Sequence, residues 1–298
     1  MRRPTLAVAL AALALAPGAA AAQDFSKVEI KATAVAGSVH MLEGAGGNIG
    51  VSAGRDGILI VDDQFAPLAD KIRAALQKLG PGKLRFILNT HWHGDHTGGN
   101  AALATPAEAP IVAHSNVRRR LATGMEIPGR KVDPAPREAL PVVTFDQSLS
   151  LHFNDEEIRA IHLGPGHTDG DSVIHFTRSN VVHMGDLFFN GRFPFVDLAS
   201  GGDVEGYARN VEIVIKQMPA DVRVIPGHGP LASIDDLKRF HTMIVETTAI
   251  VRQRMQAGKT LDQIKAEGLP EEYKSWDGGF INTARWLETL HASLSPRK

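Results

Sequence analysis

Short apolar runs bounded by glycine, proline and asparagine fill much of the chain to about residue 185, and stretches of helical period dominate the rest. Residues 38–42 and 48–52 are two such runs, and with Gly44 to Gly47 between them they predict a β-hairpin, followed by a third strand at 57–62. The period then changes: Ile72, Ala75 and Leu79 share one face of a predicted helix at about 67–79, which stops at Gly80-Pro81-Gly82. A strand is expected at 84–89, then short helices at 97–104 and 116–123 flanking a strand at 110–113. Residues 124–141, rich in proline, glycine and charge, predict a loop or flap rather than a domain linker. Strand-like runs recur at 142–145, 149–153, 158–162, 172–176 and 181–184. Helical patterns follow at about 204–218, 234–255, 261–268 after a Thr260 cap, and 281–294, with one strand at 222–226. A strand-rich stretch followed by helix, twice over, predicts an α/β sandwich in one domain.

The first 22 residues stand apart. Met1-Arg2-Arg3 leads into an apolar run from about 6 to 15, then Pro17-Gly18 and an alanine string ending Ala20-Ala21-Ala22. A charged start, a short apolar centre and an A-x-A end predict a secretory signal peptide over 1–22, cleaved near Ala22-Gln23, with 23–298 as the mature domain. The apolar run is shorter than the roughly 20 residues of a membrane span, so no stable membrane insertion is expected. The expected address is the periplasm or the medium. A hydrophobic content of 43% is ample for a buried core. Cysteine is absent, which excludes disulfides, thiolate metal ligands and a thiol nucleophile, and leaves stability to the core and to bound metal. The formal charge of −1 becomes −3 once Arg2 and Arg3 leave with the leader. With no basic run, the chain is not expected to bind nucleic acid.

The chemistry concentrates in His91-Trp92-His93-Gly94-Asp95-His96, three imidazoles and a carboxylate directly after a predicted strand. Imidazole nitrogens and carboxylate oxygens suit zinc, and alternate residues of a tight turn can face one ion while their neighbours face a second. Four candidate ligands are too many for one tetrahedral ion with an open position, so the spacing points to two metals. A His-rich solvated loop is the plainer explanation, and downstream residues argue against it. Gly166-His167, Gly185-Asp186 and Gly227-His228-Gly229 each follow a predicted strand in a glycine-rich turn, where the backbone can approach a metal without a Cβ in the way. One such histidine reads as a loop residue; four segments at strand ends read as a ligand set.

The order His-x-His-x-Asp-His, Gly-His, Gly-Asp, Gly-His-Gly resembles the metallo-β-lactamase superfamily over essentially the whole mature chain. The resemblance implies an αββα sandwich, two mixed β-sheets flanked by helices, with a dinuclear zinc site at one edge. It implies that His91, His93 and His167 hold one zinc, that Asp95, His96 and His228 hold the other, and that Asp186 bridges them. Asp62, ending the strand at 57–62, matches the family's structural aspartate behind the metal loop. Two Zn²⁺ with two carboxylates and a hydroxide leave about +1, which attracts an anionic substrate. Zinc lowers the pKa of bound water to about 7, so attack on a carbonyl is expected at neutral pH, with Asp95 orienting the nucleophile and shuttling its proton.

For the substrate, ligand set and address pull apart. With no cysteine and with Asp186 present, the set resembles the family's broad hydrolase type, shared by glyoxalase II and lactonases, whereas export suits an enzyme that meets β-lactams. The expected function is an exported zinc-dependent hydrolase acting on a β-lactam amide. A lactonase or glyoxalase II-like thioesterase is the alternative, and a non-catalytic zinc-binding protein the remote one. The expected partner is a small-molecule substrate; oligomeric state has no signature in the sequence. Arg192 is a candidate cation for a substrate carboxylate and Asn190 a candidate oxyanion donor, with ordinary loop polarity as the competing explanation. Trp92 is expected to pack beside the ligand loop or to line the pocket. The Gly44 to Gly47 turn is a candidate mobile flap, and Asp169 and Asp171 are candidates to brace His167 through its other ring nitrogen. A nuclease is disfavoured by leader and charge, and a redox di-iron enzyme by His93, where that branch usually carries Glu.

Overall fold

The computed structural model describes residues 24–107, 109–127 and 130–296; the expected leader lies outside them. The first half runs β1 (Lys31–Ala36), β2 (Val39–Glu43), β3 (Ile49–Gly54), β4 (Gly57–Val61), α1 (Ala69–Leu79), β5 (Leu84–Asn89), α2 (Gly94–Thr97), α3 (Asn100–Ala107), β6 (Ile111–His114), α4 (Ser115–Thr123), β7 (Met125–Ile127), β8 (Arg130–Val132) and β9 (Val143–Phe145). The second half runs β10 (Ser148–Phe153), β11 (Glu156–Ile161), β12 (Val173–Phe176), β13 (Val181–His183), α5 (Val204–Gln217), β14 (Arg223–Ile225), β15 (Ala232–Ser233), α6 (Ile234–Gln256), α7 (Leu261–Glu267) and α8 (Thr283–Leu294). One sheet has the order β1-β2-β3-β4-β5-β6-β9, and the other holds β10 to β15 in sequence order.

Alternation along the strands builds the layers. In β4, Ile58 and Ile60 face outward onto Leu68, Ile72 and Leu76 of the α1 region and Leu103 of α3, whereas Leu59 and Val61 face inward. The inward residues meet Ile158, Ile174, Phe176 and Ile225 of the second sheet. That sheet's other face, through Val182 and Val224, lies under Tyr207 of α5, Phe240 of α6 and Trp286 of α8. The result is helix, sheet, sheet, helix, as the resemblance implied. Capping boxes at Ser233 with Asp236 and at Thr260 with Gln263 start α6 and α7.

Several elements differ from the sequence reading. β1 was not anticipated: it is a largely exposed edge strand whose alternation is too weakly apolar to register. The segment expected to be loop or flap contains the β7–β8 ribbon and a 3-10 turn at Arg137–Ala139, and none of its described residues lines the cleft above the ligand cluster. The helix expected at 97–104 begins at Asn100, because the preceding turn is the separate α2 that carries Asp95 and His96.

The topology gathers the candidate ligands. Parallel β4 and β5 in one sheet, and parallel β13 and β14 in the other, end at the same edge of the sandwich. The chain leaving β4 carries Asp62, that leaving β5 the hexapeptide, that leaving β13 Asp186, that leaving β14 His228, and the β11–β12 connection carries His167. Carboxyl ends of parallel strands are where open α/β sheets place their ligands.

Candidate metal centre

All seven candidate ligands converge. The ligand atoms of His91, His93, His167 and Asp186 lie within 4.8 Å of one another, as do those of Asp95, His96 and His228, and those of Asp62, His91 and His96. Asp186 faces both of the first two sets. Its Oδ2 is 3.4 Å from His167 Nε2 and 3.7 Å from His91 Nε2; its Oδ1 is 3.1 Å from His96 Nε2 and 3.4 Å from His228 Nε2. Asp95 Oδ2 sits 3.3 Å from His228 Nε2.

Four imidazoles are oriented by a bond at their outward nitrogen. His93 Nε2 donates to Asp197 Oδ2 at 2.8 Å, His96 Nδ1 to Asp62 Oδ2 at 2.7 Å, and His167 Nδ1 to the Phe195 carbonyl at 2.7 Å, since those oxygens can only accept. The Thr90 hydroxyl gives its hydrogen to Asp62 Oδ2, so it accepts from His91 Nδ1 at 3.0 Å. His91, His93 and His167 therefore turn a lone pair inward, and His96 does so once its inward proton is displaced. His93 Nδ1 and His167 Nε2 face each other at 2.8 Å, while His91 Nε2 and Asp186 Oδ1 are buried with no hydrogen-bond partner. Converging lone pairs repel and unpartnered buried acceptors are costly, and a cation among them relieves both. A set of imidazole nitrogen and carboxylate oxygen without sulfur fits a divalent ion such as zinc. Asp62 is spent on protein donors: Thr90 N, Thr90 Oγ1 and His96 Nδ1, each at 2.7 Å.

The charges are mutually dependent. Burial opposes a charge on His228, but Asp186 and Asp95 outweigh it and push its pKa up to about 9. Burial likewise opposes charge on His96, and Asp186, Asp95 and Asp62 raise it well above the ordinary range. Asp95 is drawn down to about 2 by His96 and His228 against the effect of burial. His167, where burial dominates, falls to about 4. A metal must therefore displace protons from His96 and His228. Loading the metal-free protein near pH 7 is expected to release protons into a weak buffer, read with an indicator dye, and the apparent affinity should climb with pH until about 9. An affinity flat with pH across that window would contradict the assignment.

The Gly44 to Gly47 turn is part of the site's wall rather than a flap. Gly47 N donates to the Asp95 carbonyl at 3.0 Å, and Gln64 Nε2 to the Gly47 carbonyl at 2.8 Å. Asn48 N donates to the Gly227 carbonyl at 2.8 Å, and Asn48 Nδ2 reaches the carbonyls of Pro226 at 2.9 Å and Gly229 at 2.8 Å. One turn thus ties the hexapeptide loop to the His228 loop. A Cβ on Gly47 would lie 2.1 Å from His96 Cε1. Gly47→Ala is expected to push the His96 ring off the centre and weaken metal binding by about 10- to 100-fold, measured by titration with a competing chelator. An unchanged affinity would show that the turn yields instead.

Other candidates resolve individually. Asp171 does not brace His167: its carboxylate accepts from Thr168 N at 2.9 Å and Thr168 Oγ1 at 2.6 Å, and burial pushes it up to about 7. Asp169 instead makes a two-bond pair with Arg120, at 2.7 Å to both Nε and Nη2. Trp92 packs with Ala113 and Val117 and does not line the cleft. Asn190 also faces away from it, with Nδ2 donating to the Pro230 carbonyl. Arg192 does line it. Sequence reasoning missed Asp197, Thr90 and Asn48. Only Asp197 left a visible trace, as the cap of the turn Leu198–Ser200, and that pattern does not reveal its bond to His93.

Above the ligand cluster opens a cleft of about 750 Å³. Asp95, Asp186, His93 and His228 lie at its floor, and Phe65, Phe189, Phe193, Phe195 and Phe280 form much of its wall. Phe189 stacks on His228, with ring centroids 5.0 Å apart and planes 18° from parallel.

Residues 44–228 match the family model described as "Metallo-beta-lactamase superfamily". A hydroxyacylglutathione hydrolase of Polaromonas is 29% identical over 163 residues, covering 54% of this chain and 55% of that enzyme. A type 2 metallo-beta-lactamase of Bacteroides fragilis is 23% identical over 172 residues, covering 56% of this chain and 63% of that one. The chain thus spans little more than half the length of these curated relatives. A solved metallo-beta-lactamase from Pontibacter korlensis superposes with a TM-score of 0.61 at 16% identity, over 72% of this chain and 99% of that one, which shows a shared fold.

Proposed function

The chain belongs to the metallo-β-lactamase superfamily, and from that premise and the site geometry we propose a dinuclear zinc hydrolase that cleaves the acyl bond of a small anionic substrate. The observation that carries the proposal is Asp186, whose two oxygens face separate sets of inward-turned imidazoles. His91, His93 and His167 would hold one ion, Asp95, His96 and His228 the second, with Asp186 shared between them. When bound, the metal supplies Lewis acidity to the acyl oxygen and makes water acidic enough to attack at neutral pH. Asp95, with 31% of its side chain exposed and its pKa near 2, is ionised at neutral pH and reaches the cleft. Its carboxylate orients the attacking water and accepts its proton at Oδ2. Asp197 and the Phe195 carbonyl hold the rings of His93 and His167 in place. Phe65, Phe189 and Phe193 exclude water around the acyl group. Arg192 pairs with the substrate's anion.

A β-lactam amide is the first substrate of this proposal. The cleft offers a cation for its carboxylate and an apolar wall for its body, and a metallo-beta-lactamase is among the relatives. Thioester or lactone hydrolysis is the second reading, favoured by the similarity to a hydroxyacylglutathione hydrolase and by the position of Asp186 between the two ligand sets. We also propose export to the periplasm or medium, on the leader-like residues 1–22. Purified protein is tested on benzylpenicillin, a homoserine lactone and a glutathione thioester, with and without chelator. Chelator-sensitive turnover favouring the penicillin is expected. Turnover of the thioester or lactone alone would replace the β-lactam reading with the second, and no metal-dependent turnover would sink the hydrolase.

A further inference from the structure

We propose that Phe280 and Arg192 form a two-point recognition site selecting substrates that carry both a carboxylate and an aromatic group, with Phe280 reading the aromatic. The inference rests on the hydrolase proposal and adds the substrate feature that the cleft prefers. Phe280 is 74% exposed, the most exposed large apolar side chain among the described residues. It is nevertheless held in place. The Arg285 guanidinium lies 5.2 Å from its ring centroid, Arg285 Nη1 donates to its carbonyl at 3.3 Å, and its ring meets Phe195 edge to face at 6.1 Å and 84°. The Phe195 ring is in turn 5.8 Å from the rings of both His93 and His167. An aromatic wall therefore runs without interruption from the metal-facing imidazoles to the mouth of the cleft.

Arg192 supplies the polar half. It is half-buried, and among the described residues no carboxylate forms an ion pair with it. Its aliphatic stem lies against Gly279, where an added Cβ would come within 3.1 Å of Arg192 Cδ, so the chain segment that presents Phe280 also supports the arginine. The acidic side chains of the cleft, Asp95 and Asp186, are at the floor, which leaves Arg192 as the place for a substrate's anion. An exposed ring fixed over a cleft gains most when a second apolar group covers it, and an aromatic partner adds edge or stacking contacts. Phe280 lies beyond residues 44–228, the span matched by the family model.

The test compares ligands that differ only in the aromatic group: benzylpenicillin against 6-acetamidopenicillanic acid for KM, and N-phenylacetylglycine against N-acetylglycine for Kd by calorimetry on the metal-loaded protein. In the wild type the phenylacetyl member of each pair should bind more tightly. Phe280→Ala should shrink that preference about ten-fold, the size of one good aromatic contact, and Phe280→Trp should restore it. Arg192→Ala should weaken both members of a pair by the same factor, with Arg192→Lys recovering part. A preference unchanged in Phe280→Ala overturns the inference, as does equal weakening of both members. The glycine pair needs no turnover, so a failure of the β-lactam reading shows as absent hydrolysis while the binding comparison still decides the role of Phe280.

Discussion

Asp186→Asn is expected to lower kcat/KM by about 10³-fold or more, because one carboxylate contributes to both proposed metal positions. The side chain is 5% exposed and lies within 3.7 Å of the nitrogens of His91, His96, His167 and His228. An amide keeps the volume, so the fold should survive. It removes the negative charge between the two imidazole sets, and the amide NH₂ would face rings on one side whose lone pairs serve a cation. His96 and His228 also lose the carboxylate that contributes most to keeping them charged. Elemental analysis should show fewer metal ions per chain than in the wild type. A variant with two ions and full turnover would refute the shared-ligand assignment.

Asp62→Ala is expected to give the largest loss of stability, on the order of 3–5 kcal/mol in urea unfolding. Asp62 is fully buried and accepts from Thr90 N, Thr90 Oγ1 and His96 Nδ1, so its removal strands three donors. Its backbone has φ of 65°, which an aspartate tolerates better than an alanine. Metal affinity should fall as well, by about 10- to 100-fold, since His96 loses the bond that fixes its ring. Asp62→Asn should fall between: it keeps the left-handed backbone but offers one oxygen to three donors. A loss below about 1 kcal/mol in the alanine variant would mean that water or a shifted side chain replaces the carboxylate.

The ligands were legible because each sits where an apolar run meets glycine, at a strand's carboxyl end, and four of them share one hexapeptide. Such signals are local, and local signals survive in a single sequence. The supports were not legible. Asp197 meets His93 across 104 positions, and Thr90 acts as a relay between Asp62 and His91 that no spacing encodes. Proximity along the chain also misled. Asp171 is near His167 in sequence, yet its carboxylate turns back on Thr168, because the local turn offers donors at shorter reach. The glycines of the β2–β3 turn looked like flexibility, whereas Gly47 is required by closeness to His96, and Gly46 by its φ of 94° and the nearby Asp95 carbonyl. Strands of the core were readable from alternation, whereas edge strands such as β1, largely exposed, left too little contrast.

The hexapeptide and Asp62 belong to the first sheet, whereas His167, Asp186 and His228 belong to the second, and Asn48 joins the two sides through its bonds to the His228 loop. Neither half of the sequence folded alone would present a complete coordination sphere. Enzymatic competence thus arrives only with the final assembly of the two layers. A chain stalled before that event would lack the full ligand set, and metal bound to the assembled site would stabilise the folded state by its binding free energy.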